Sequence, residues 1–247
     1  MSRGRSHPLP IAGTLEGMVD VPPLPPHANR AERERLLATL HQEMRTCAQC
    51  AEAGYLVAAN GVAGFRGHVG DRLMLVGQAP GHLSVERGEP FSGPSGRVLD
   101  GWLHRAGFPP GALRTQVYLS ALTKCDPGKH PSGNGDRKPS LPELALCRPF
   151  LLRELELVRP RAILLVGGMA IEAFLGPAKL EAVVGTAVDR NGVHLLPLPH
   201  PSGVSRWLNE PAHQALVARA LDLLAGWRLE WQREDSVNSG GTHDGDI

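Results

Sequence analysis

Short apolar runs alternate with helical patterns from about residue 73 onward. Each run contains four to six residues rich in Leu and Val, and the stretches between them carry apolar positions three and four residues apart. Buried parallel strands are apolar on both faces and are joined by crossover helices, so this alternation predicts an α/β domain. The predicted strands are residues 73–76, 117–122, 162–166 and 195–198.

Capping residues mark where the predicted helices begin. Asn29 precedes a helix that should deliver Cys47 at its end, and a Ser-x-x-Glu capping box at Ser140 opens a helix over 140–158. Pro149 predicts a kink or a split in that helix. The other predicted helices cover residues 95–106, 170–175 and a stretch capped by Asn209. Together these elements predict a three-layer α/β/α sandwich with a central, mainly parallel four-stranded sheet.

Two segments flank the predicted domain, which covers residues 29–230. Residues 1–28 contain six prolines, too many for a helix or a central strand, and are predicted to be a flexible arm. Residues 231–247 are polar and rich in Gly, and are predicted to be a disordered tail.

Composition narrows the function classes. A chain of 247 residues fits one α/β domain. Its formal charge is only +1, so any binding of nucleic acid must depend on local basic patches. The last fourteen residues hold four acids and no Lys or Arg, so the rest of the chain is more basic than the total. The start lacks the apolar centre of a secretion signal and no run is long enough to cross a bilayer, which predicts a cytoplasmic protein without a membrane partner. Nothing in the sequence demands more than a monomer.

The four cysteines are candidate metal ligands. Cys47 and Cys50 form a Cys-x-x-Cys motif, Cys125 follows the second predicted strand, and Cys147 lies on the next helix. Thiols stay reduced in the cytosol, which favours a metal over disulfides. The wide spacing of the second pair argues against a zinc ribbon and for an iron–sulfur cluster. The alternative is four unrelated buried thiols.

Two loops at predicted strand ends carry candidate chemistry. The first reads Gly-Gln-Ala-Pro-Gly over residues 77–81 and leads to Phe91, which offers a stacking face. The second places His200 between two prolines directly after the last strand, where its ring would be held in one direction as a hydrogen-bond donor. Taken singly, the first loop is better explained as an ordinary strand-to-helix turn with Phe91 in the core, whereas a solvated or packing histidine explains the second loop equally well.

Together the motifs resemble the iron–sulfur uracil-DNA glycosylases called family four, with family five next. That family has Gly-Glu-Ala-Pro-Gly, then Gly-x-Pro-Phe-x-Gly-x-x-Gly, and His-Pro after the last strand; residues 77–81, 88–96 and 200–201 are the counterparts here. The resemblance covers residues from about 35 to 226 and includes the four cysteines. It implies a structural [4Fe–4S] cluster, DNA with a damaged or deaminated base as partner, and base excision by hydrolysis of the N-glycosidic bond.

The resemblance also implies residue roles. His200 and Gln78 are the expected catalytic residues, with His200 donating to the departing base. The expected substrate-binding residues are Gly77, Gln78, Ala79, Phe91, Ala121, His200 and Ser202. The stretch 204–208 matches the family's intercalating loop, which implies DNA contacts for Arg206, Trp207 and Leu208; an anchor for the last helix is the alternative for Trp207.

The chain departs from the family pattern in three places. One is Ser84-Val85, where the family usually has a Glu-Asp pair, and the other two are single residues of the expected site. Gln78 stands in place of the motif's acid, and Ala121 stands where the family's uracil-reading asparagine belongs, in Tyr-Leu-Ser-Ala-Leu-Thr-Lys-Cys. These departures leave a catalytically weak or inactive damage-binding protein, or a cluster-based sensor, as alternatives. Five basic residues near the strand ends are further candidates for phosphate contacts: Arg97, Lys124, Lys129, Arg137 and Lys138.

Overall fold

A computed structural model describes residue 19 and residues 29–132, 135–202 and 206–240. The predicted arm over 1–28, apart from Val19, lies outside the described residues. Val19 itself is buried and its backbone N–H donates to the carbonyl of Ala173 at 3.1 Å. In the described part of the chain, every helix is too short or too polar to cross a membrane.

A five-stranded sheet forms the centre of the molecule, in the order β2-β1-β3-β5-β4. The first four strands in that order are parallel, and β4 runs antiparallel to β5 at one edge. The strands are β1 (Leu73–Gly77), β2 (Val117–Ala121), β3 (Ala162–Val166), β4 (Val188–Arg190) and β5 (Val193–Leu198). The α/β fold predicted from the sequence is confirmed, with one edge strand, β4, added to the four predicted.

Helices cover both faces of the sheet. They are α1 (Arg30–Thr46), α2 (Gln49–Glu52), α3 (His82–Arg87), α4 (Pro94–Arg105), α5 (Ala112–Thr115), α6 (Leu141–Val158), α7 (Gly168–Leu175), α8 (Leu180–Val183) and α9 (Pro211–Gly240), with 3₁₀ turns at Gly61–Ala63 and Arg206–Asn209. Asn29 caps α1 and the Ser140 capping box opens α6, as predicted. Pro149 lies inside α6, which continues as one helix from Leu141 to Val158.

The core has two layers because successive side chains of a strand point to opposite faces. On one face, alternate strand residues such as Met74 and Ile163 pack with α1, α6 and α7. On the other face, residues such as Leu75 and Leu164 pack with α4, α5 and α9. All residues of β1, β2 and β3 are buried, which explains why these strands are continuously apolar in the sequence.

The last helix continues past residue 230, where the predicted domain ends. α9 begins at Pro211, after a 3₁₀ turn that includes Asn209, and continues to Gly240. Trp231 is buried, and Arg72 donates to its carbonyl at 2.9 Å and pairs with Asp235. The expected disordered tail is therefore helical from 231 to 240; residues 241–247 lie outside the described residues.

Candidate functional site

The four parallel strands end along one edge of the sheet, where their loops converge. Gly77 at the end of β1 is the register partner of Ala121 at the end of β2. On the other side of β1, the N–H of Gly167, directly after β3, donates to the carbonyl of Leu198 at 2.9 Å. The sheet order therefore brings the Gly-Gln-Ala-Pro-Gly loop and the His200 loop to the same edge, where ligands of α/β sheets gather.

The Phe91 ring lies against the backbone of Gly77. A Cβ added to Gly77 would stand 3.0 Å from Cζ of Phe91, so a side chain at this position would displace the ring. Ala121 faces the same side of the sheet as Gly77, because register partners on paired strands share a face. The Phe91 ring and Ala121 therefore lie on the same face of the sheet, at the ends of neighbouring strands.

The backbone of Phe91 is held in a left-handed conformation, with φ of 53°. Arg114, on α5, donates from Nη2 to the Phe91 carbonyl at 2.8 Å and from Nη1 to the carbonyl of Pro90. Gly96 leaves the space that this loop needs, since a Cβ there would meet the Phe91 carbonyl oxygen at 1.8 Å. Arg114 could not be identified from the sequence, because no local motif connects it to a loop more than twenty residues earlier.

His200 stands at the same edge, two strands away from β1. Its ring packs on Gly167, where an added Cβ would lie 3.5 Å from the His200 Cβ and 3.6 Å from its Cδ2. The side chain remains accessible to solvent, while Pro201 behind it is buried. Desolvation by the surrounding protein atoms lowers the pKa of the imidazole. The carboxylate of Asp136 raises that pKa, but the net effect is a lowering. A lowered pKa keeps the ring neutral at physiological pH, when one ring nitrogen carries a proton to donate.

The remaining expected substrate contacts are half-buried. Gln78 and Ala79 continue from β1, and the Gln78 carbonyl accepts from the Thr123 N–H at 3.2 Å. That bond fastens the loop after β1 to the loop after β2. Ser202 follows the His200 loop and is also half-buried.

Trp207 is an anchor in this structure. Its Nε1 donates to Glu181 at 2.6 Å, and its ring stacks on His213 with a centroid distance of 4.1 Å and an interplanar angle of 2°. Leu208 is half-buried and packs against the core, whereas Arg206 is exposed. Residues 204 and 205 of the expected intercalating loop lie outside the described residues.

Three of the five basic residues near the strand ends already have partners. Lys124 is buried and pairs with Glu154, Lys129 pairs with Asp136 at 2.7 Å, and Arg137 pairs with Glu143. Arg97 and Lys138 are exposed. The surface charge expected from Lys124 is absent, because its side chain is only 2 % exposed.

Lys124 instead belongs to a buried polar network beneath Ala121. Its Nζ donates to the Ala121 carbonyl, to Ser120 Oγ and to Glu154 Oε2, each at 2.7 Å. Tyr118 donates to the other oxygen of Glu154 at 3.0 Å. The network fixes the end of β2 to α6. Ser120 and Glu154 carried no local signal, since their pairing depends on the packing of a strand on a helix.

The four cysteines line one small cavity. Cys47 ends α1, Cys50 lies in α2, Cys125 follows β2 and Cys147 lies in α6. The apolar side chains of the cavity wall include Met44, Leu56 and Phe150. None of the cysteines forms a disulfide. Within the described ranges, no three His, Cys, Asp or Glu side chains are placed to hold a single metal ion.

The donor set of the cavity suits an iron–sulfur group. Four thiols from separate elements share an apolar wall, and the Lys124 N–H points at Sγ of Cys147 at 3.3 Å, a type of hydrogen bond that tunes iron–sulfur clusters. Burial raises the pKa of Cys50 to about 11 and that of Cys147 to about 12. Without a cation these thiols stay protonated at neutral pH, and a bound metal would take them as thiolates.

The fold and the site define an α/β protein with an aromatic ring and an imidazole at the carboxyl ends of its parallel strands, the edge at which ligands of such sheets bind. The chain belongs to the uracil DNA glycosylase superfamily, whose family model matches residues 66–224. The predicted family is therefore confirmed.

Similar proteins include two type-4 uracil-DNA glycosylases. The one from Thermotoga maritima is 30% identical over 177 residues, which cover 70% of this chain and 85% of the relative. The one from Pyrobaculum aerophilum is 30% identical over 204 residues, covering 78% of this chain and 95% of the relative. A type-5 uracil-DNA glycosylase of Pyrobaculum aerophilum is 31% identical over 150 residues, or 55% of this chain and 63% of the relative.

Proposed function

We propose that this chain is a monofunctional DNA glycosylase of base excision repair, which hydrolyses the N-glycosidic bond of uracil or another deaminated or damaged base. Membership of the superfamily and the names of its type-4 relatives support this function. The observation that carries it is the placement of the Phe91 ring on Gly77 and of His200 on Gly167, at the ends of neighbouring strands. We further propose that it acts in the cytoplasm as a monomer.

Each side chain has a defined task in this reaction. Extruding a base from the helix costs a few kcal/mol, and stacking on Phe91 compensates part of that cost. His200 donates a hydrogen bond to the O2 of the base as negative charge develops on the departing ring, a kind of contact whose loss typically costs about 10²- to 10³-fold in rate. The Gln78 amide holds water near the sugar. Lys124 is buried and paired with Glu154, so its amine is not free to attack the sugar. This argues against a lysine nucleophile and against strand cleavage through a Schiff base.

Ala121 sets the expected specificity. An asparagine at this position would present both a donor and an acceptor to the edge of the base beside Phe91. With alanine, the edge groups of a flipped uracil lack those partners, at a cost of roughly 1–3 kcal/mol for each group left dry. Discrimination in favour of uracil is therefore weaker than in a site with the asparagine, and other deaminated bases become competitive.

Base release from defined oligonucleotides tests the function. Duplexes and single strands containing uracil, hypoxanthine or xanthine are incubated with the protein, and abasic sites are revealed by alkali. We expect release of at least one of these bases, a loss of about 10²-fold or more in His200→Ala, and no loss in Glu86→Gln, which alters an exposed residue of α3. Faster uracil release by Ala121→Asn would support the position of residue 121 in the pocket. A protein that leaves every substrate intact contradicts the proposal.

We also propose that Cys47, Cys50, Cys125 and Cys147 hold a structural [4Fe–4S] cluster. When bound, the cluster supplies four metal–thiolate bonds that tie α1, α2, α6 and the loop after β2 together. Anaerobically purified protein should contain about four iron and four sulfide per chain with broad visible absorption. Cys147→Ser should lose most of both. Zinc in place of iron, at one ion per chain, would contradict this assignment.

A second candidate is a non-catalytic protein that binds damaged DNA on the same scaffold. The combination of Gln78 and Ala121 favours it, because both departures remove groups that act on the base or the sugar. Tight binding to abasic or uracil-containing DNA, without base release and unchanged in His200→Ala, would favour this candidate over the enzyme.

A further inference from the structure

A hairpin-like loop joins the end of β2 to α6 and folds back toward the candidate site. Lys129 and Asp136 form an isolated antiparallel bridge. The Arg137 N–H donates to the Gly128 carbonyl at 2.9 Å, and Asp126 at the base of the loop accepts from the Gly128 N–H at 2.8 Å. These bonds give Asp136 a defined position.

The carboxylate of Asp136 lies against the Gly-Gln-Ala-Pro-Gly loop. A Cβ added to Gly81 would stand 3.0 Å from its Oδ2, so the carboxylate lies in close contact with this loop. Its other oxygen, Oδ1, accepts from Lys129 Nζ at 2.7 Å. One carboxylate oxygen thus faces the loop in which the superfamily resemblance places an acid and this chain has Gln78.

Asp136 is also within electrostatic reach of His200, on the far side of the same edge. Burial lowers the pKa of His200, and Asp136 raises it. Two loops from different parts of the chain therefore bring a carboxylate and an imidazole to the same edge of the sheet.

Other carboxylates near these loops are engaged elsewhere. Glu89 pairs with Arg66 and Arg114 beneath the Phe91 loop. Glu154 is 0 % exposed within the Lys124 network. Glu86 is exposed on α3 and contacts His82.

We propose that Asp136 is the general base of this site and takes the role for which the sequence motif lacks an acid at position 78. This inference rests on the proposed glycosylase function. The C1′–N bond of the damaged nucleotide breaks, and its electron pair leaves with the base, which the His200 N–H stabilises. The oxygen of a water molecule bonds to C1′, and its proton passes to the Asp136 carboxylate. That proton then reaches the base anion or solvent, so the products are a neutral base and an abasic sugar.

Single-turnover base release measures the role directly. Asp136→Asn keeps an oxygen that can accept from Lys129 but cannot take up a proton at neutral pH. We expect its rate to fall by about 10²-fold or more, as for the loss of a general base, with little change in the affinity for damaged DNA. Glu86→Gln is the matched control and should keep the wild-type rate. Asp136→Glu should recover part of the activity, because it restores a carboxylate.

The titration of His200 gives a readout that does not depend on catalysis. The ring proton of His200 is followed by NMR and assigned by its disappearance in His200→Gln. In Asp136→Asn the pKa of His200 should fall further, because the carboxylate that raises it is gone. Glu86→Gln should leave the titration unchanged.

The outcomes separate this inference from the proposed function. A wild-type protein that releases no base contradicts the glycosylase function, and the role of Asp136 falls with it. An active wild type with full activity in Asp136→Asn overturns the role of Asp136 alone. A His200 pKa that is the same in both proteins overturns the placement of Asp136 at the cleft, whatever happens to the rate.

Discussion

Gly77 is the position at which one missing side chain shapes the candidate site. Its backbone forms the surface on which the Phe91 ring lies, and an added Cβ would stand 3.0 Å from Cζ of that ring, closer than nearly all real Cβ contacts. Phe91 cannot retreat freely, because Arg114 and the close packing on Gly96 hold its carbonyl. A methyl group at position 77 should therefore move the ring within the cleft.

We predict that Gly77→Ala reduces base release by about tenfold to 10²-fold, since small misplacements of positioning groups have effects of that size. The fold should survive, because the contact is with a partly exposed ring. Gly101→Ala is the control: Gly101 is exposed in the middle of α4 and has nothing within 4 Å of an added Cβ. That change should leave activity intact and stabilise the protein by up to about 1 kcal/mol. Equal activity of the two variants would contradict the close contact at Gly77.

His41 gives a prediction for pH. Burial, with a smaller contribution from Arg45, lowers the pKa of His41 from 6.5 to about 4, and its Nε2 is 2.9 Å from the Tyr118 hydroxyl. The unfolded chain therefore binds this proton at a higher pH than the folded chain does. Its contribution to the free energy of unfolding is full above about pH 6.5 and is lost as the pH falls toward 4.

We expect this loss to amount to roughly 1–3 kcal/mol after allowance for partial exposure of the ring. Urea unfolding at several pH values between 4 and 7 should show a shallower pH dependence in His41→Gln than in the wild type. Tyr118→Phe is the control, because it removes the hydrogen-bond partner and keeps the titrating ring, so the slope should remain. Parallel slopes for His41→Gln and the wild type would contradict the assignment.

The elements differ in how well the sequence predicts them. β1, β2, β3 and β5 were predicted to within two residues, because strands buried on both faces are continuous apolar runs. β4 was missed because it has three residues, none of them buried, and exists through its pairing with β5. The capping boxes and caps of α1 and α6 were readable because their bonding partners lie within three residues.

The candidate site was predictable where its residues sit in local motifs. His200 follows the end of β5 closely, and Phe91 lies in the segment between β1 and α4, so the parallel sheet brings the two segments to one edge. Arg114 and Asp136 could not be found in this way, since each acts through a loop that is distant in the sequence. Lys124 was predicted to contact phosphate, and the sequence could not show that it is buried, because its partner Glu154 lies thirty residues away on α6.

The Lys124–Glu154 pair makes β2 and α6 one unit, and we predict that breaking it is costly. Lys124→Met leaves the buried Glu154 carboxylate without its cation, which should lower the free energy of unfolding by about 3–5 kcal/mol. Combining Lys124→Met with Glu154→Leu should recover most of that loss, because no buried charge remains. Urea unfolding followed by circular dichroism measures both.

An exposed pair on the same helix provides the comparison. Arg153 on α6 pairs with Glu43 on α1, and both side chains are more than 40 % exposed. Arg153→Met should cost only about 0–1 kcal/mol. Similar losses for Lys124→Met and Arg153→Met would show that the buried pair has no special place in joining strand to helix.

Ion pairs between residues far apart in the sequence join the sheet to α9 at the end opposite the candidate site. Arg72 and Arg161, which precede β1 and β3, reach across to α9 and pair with Asp235 and Glu234. Read in sequence, these two acids belong to a polar tail. In the fold they neutralise the charges of two arginines, and Trp231 on the same helix is buried.

This arrangement predicts a sharp boundary for the domain. A chain that ends at residue 230 loses the buried Trp231 indole together with both ion pairs, whereas a chain that ends at 240 keeps the whole of α9. Loss of a buried tryptophan alone costs about 3–5 kcal/mol, which corresponds to a melting temperature lower by roughly 10 °C in a chain of this size. Trp231→Ala in the chain ending at 240 should reproduce most of that loss, because the surface ion pairs contribute little each. If the chains ending at 230 and 240 melt at the same temperature, the last ten residues of α9 add nothing to the fold.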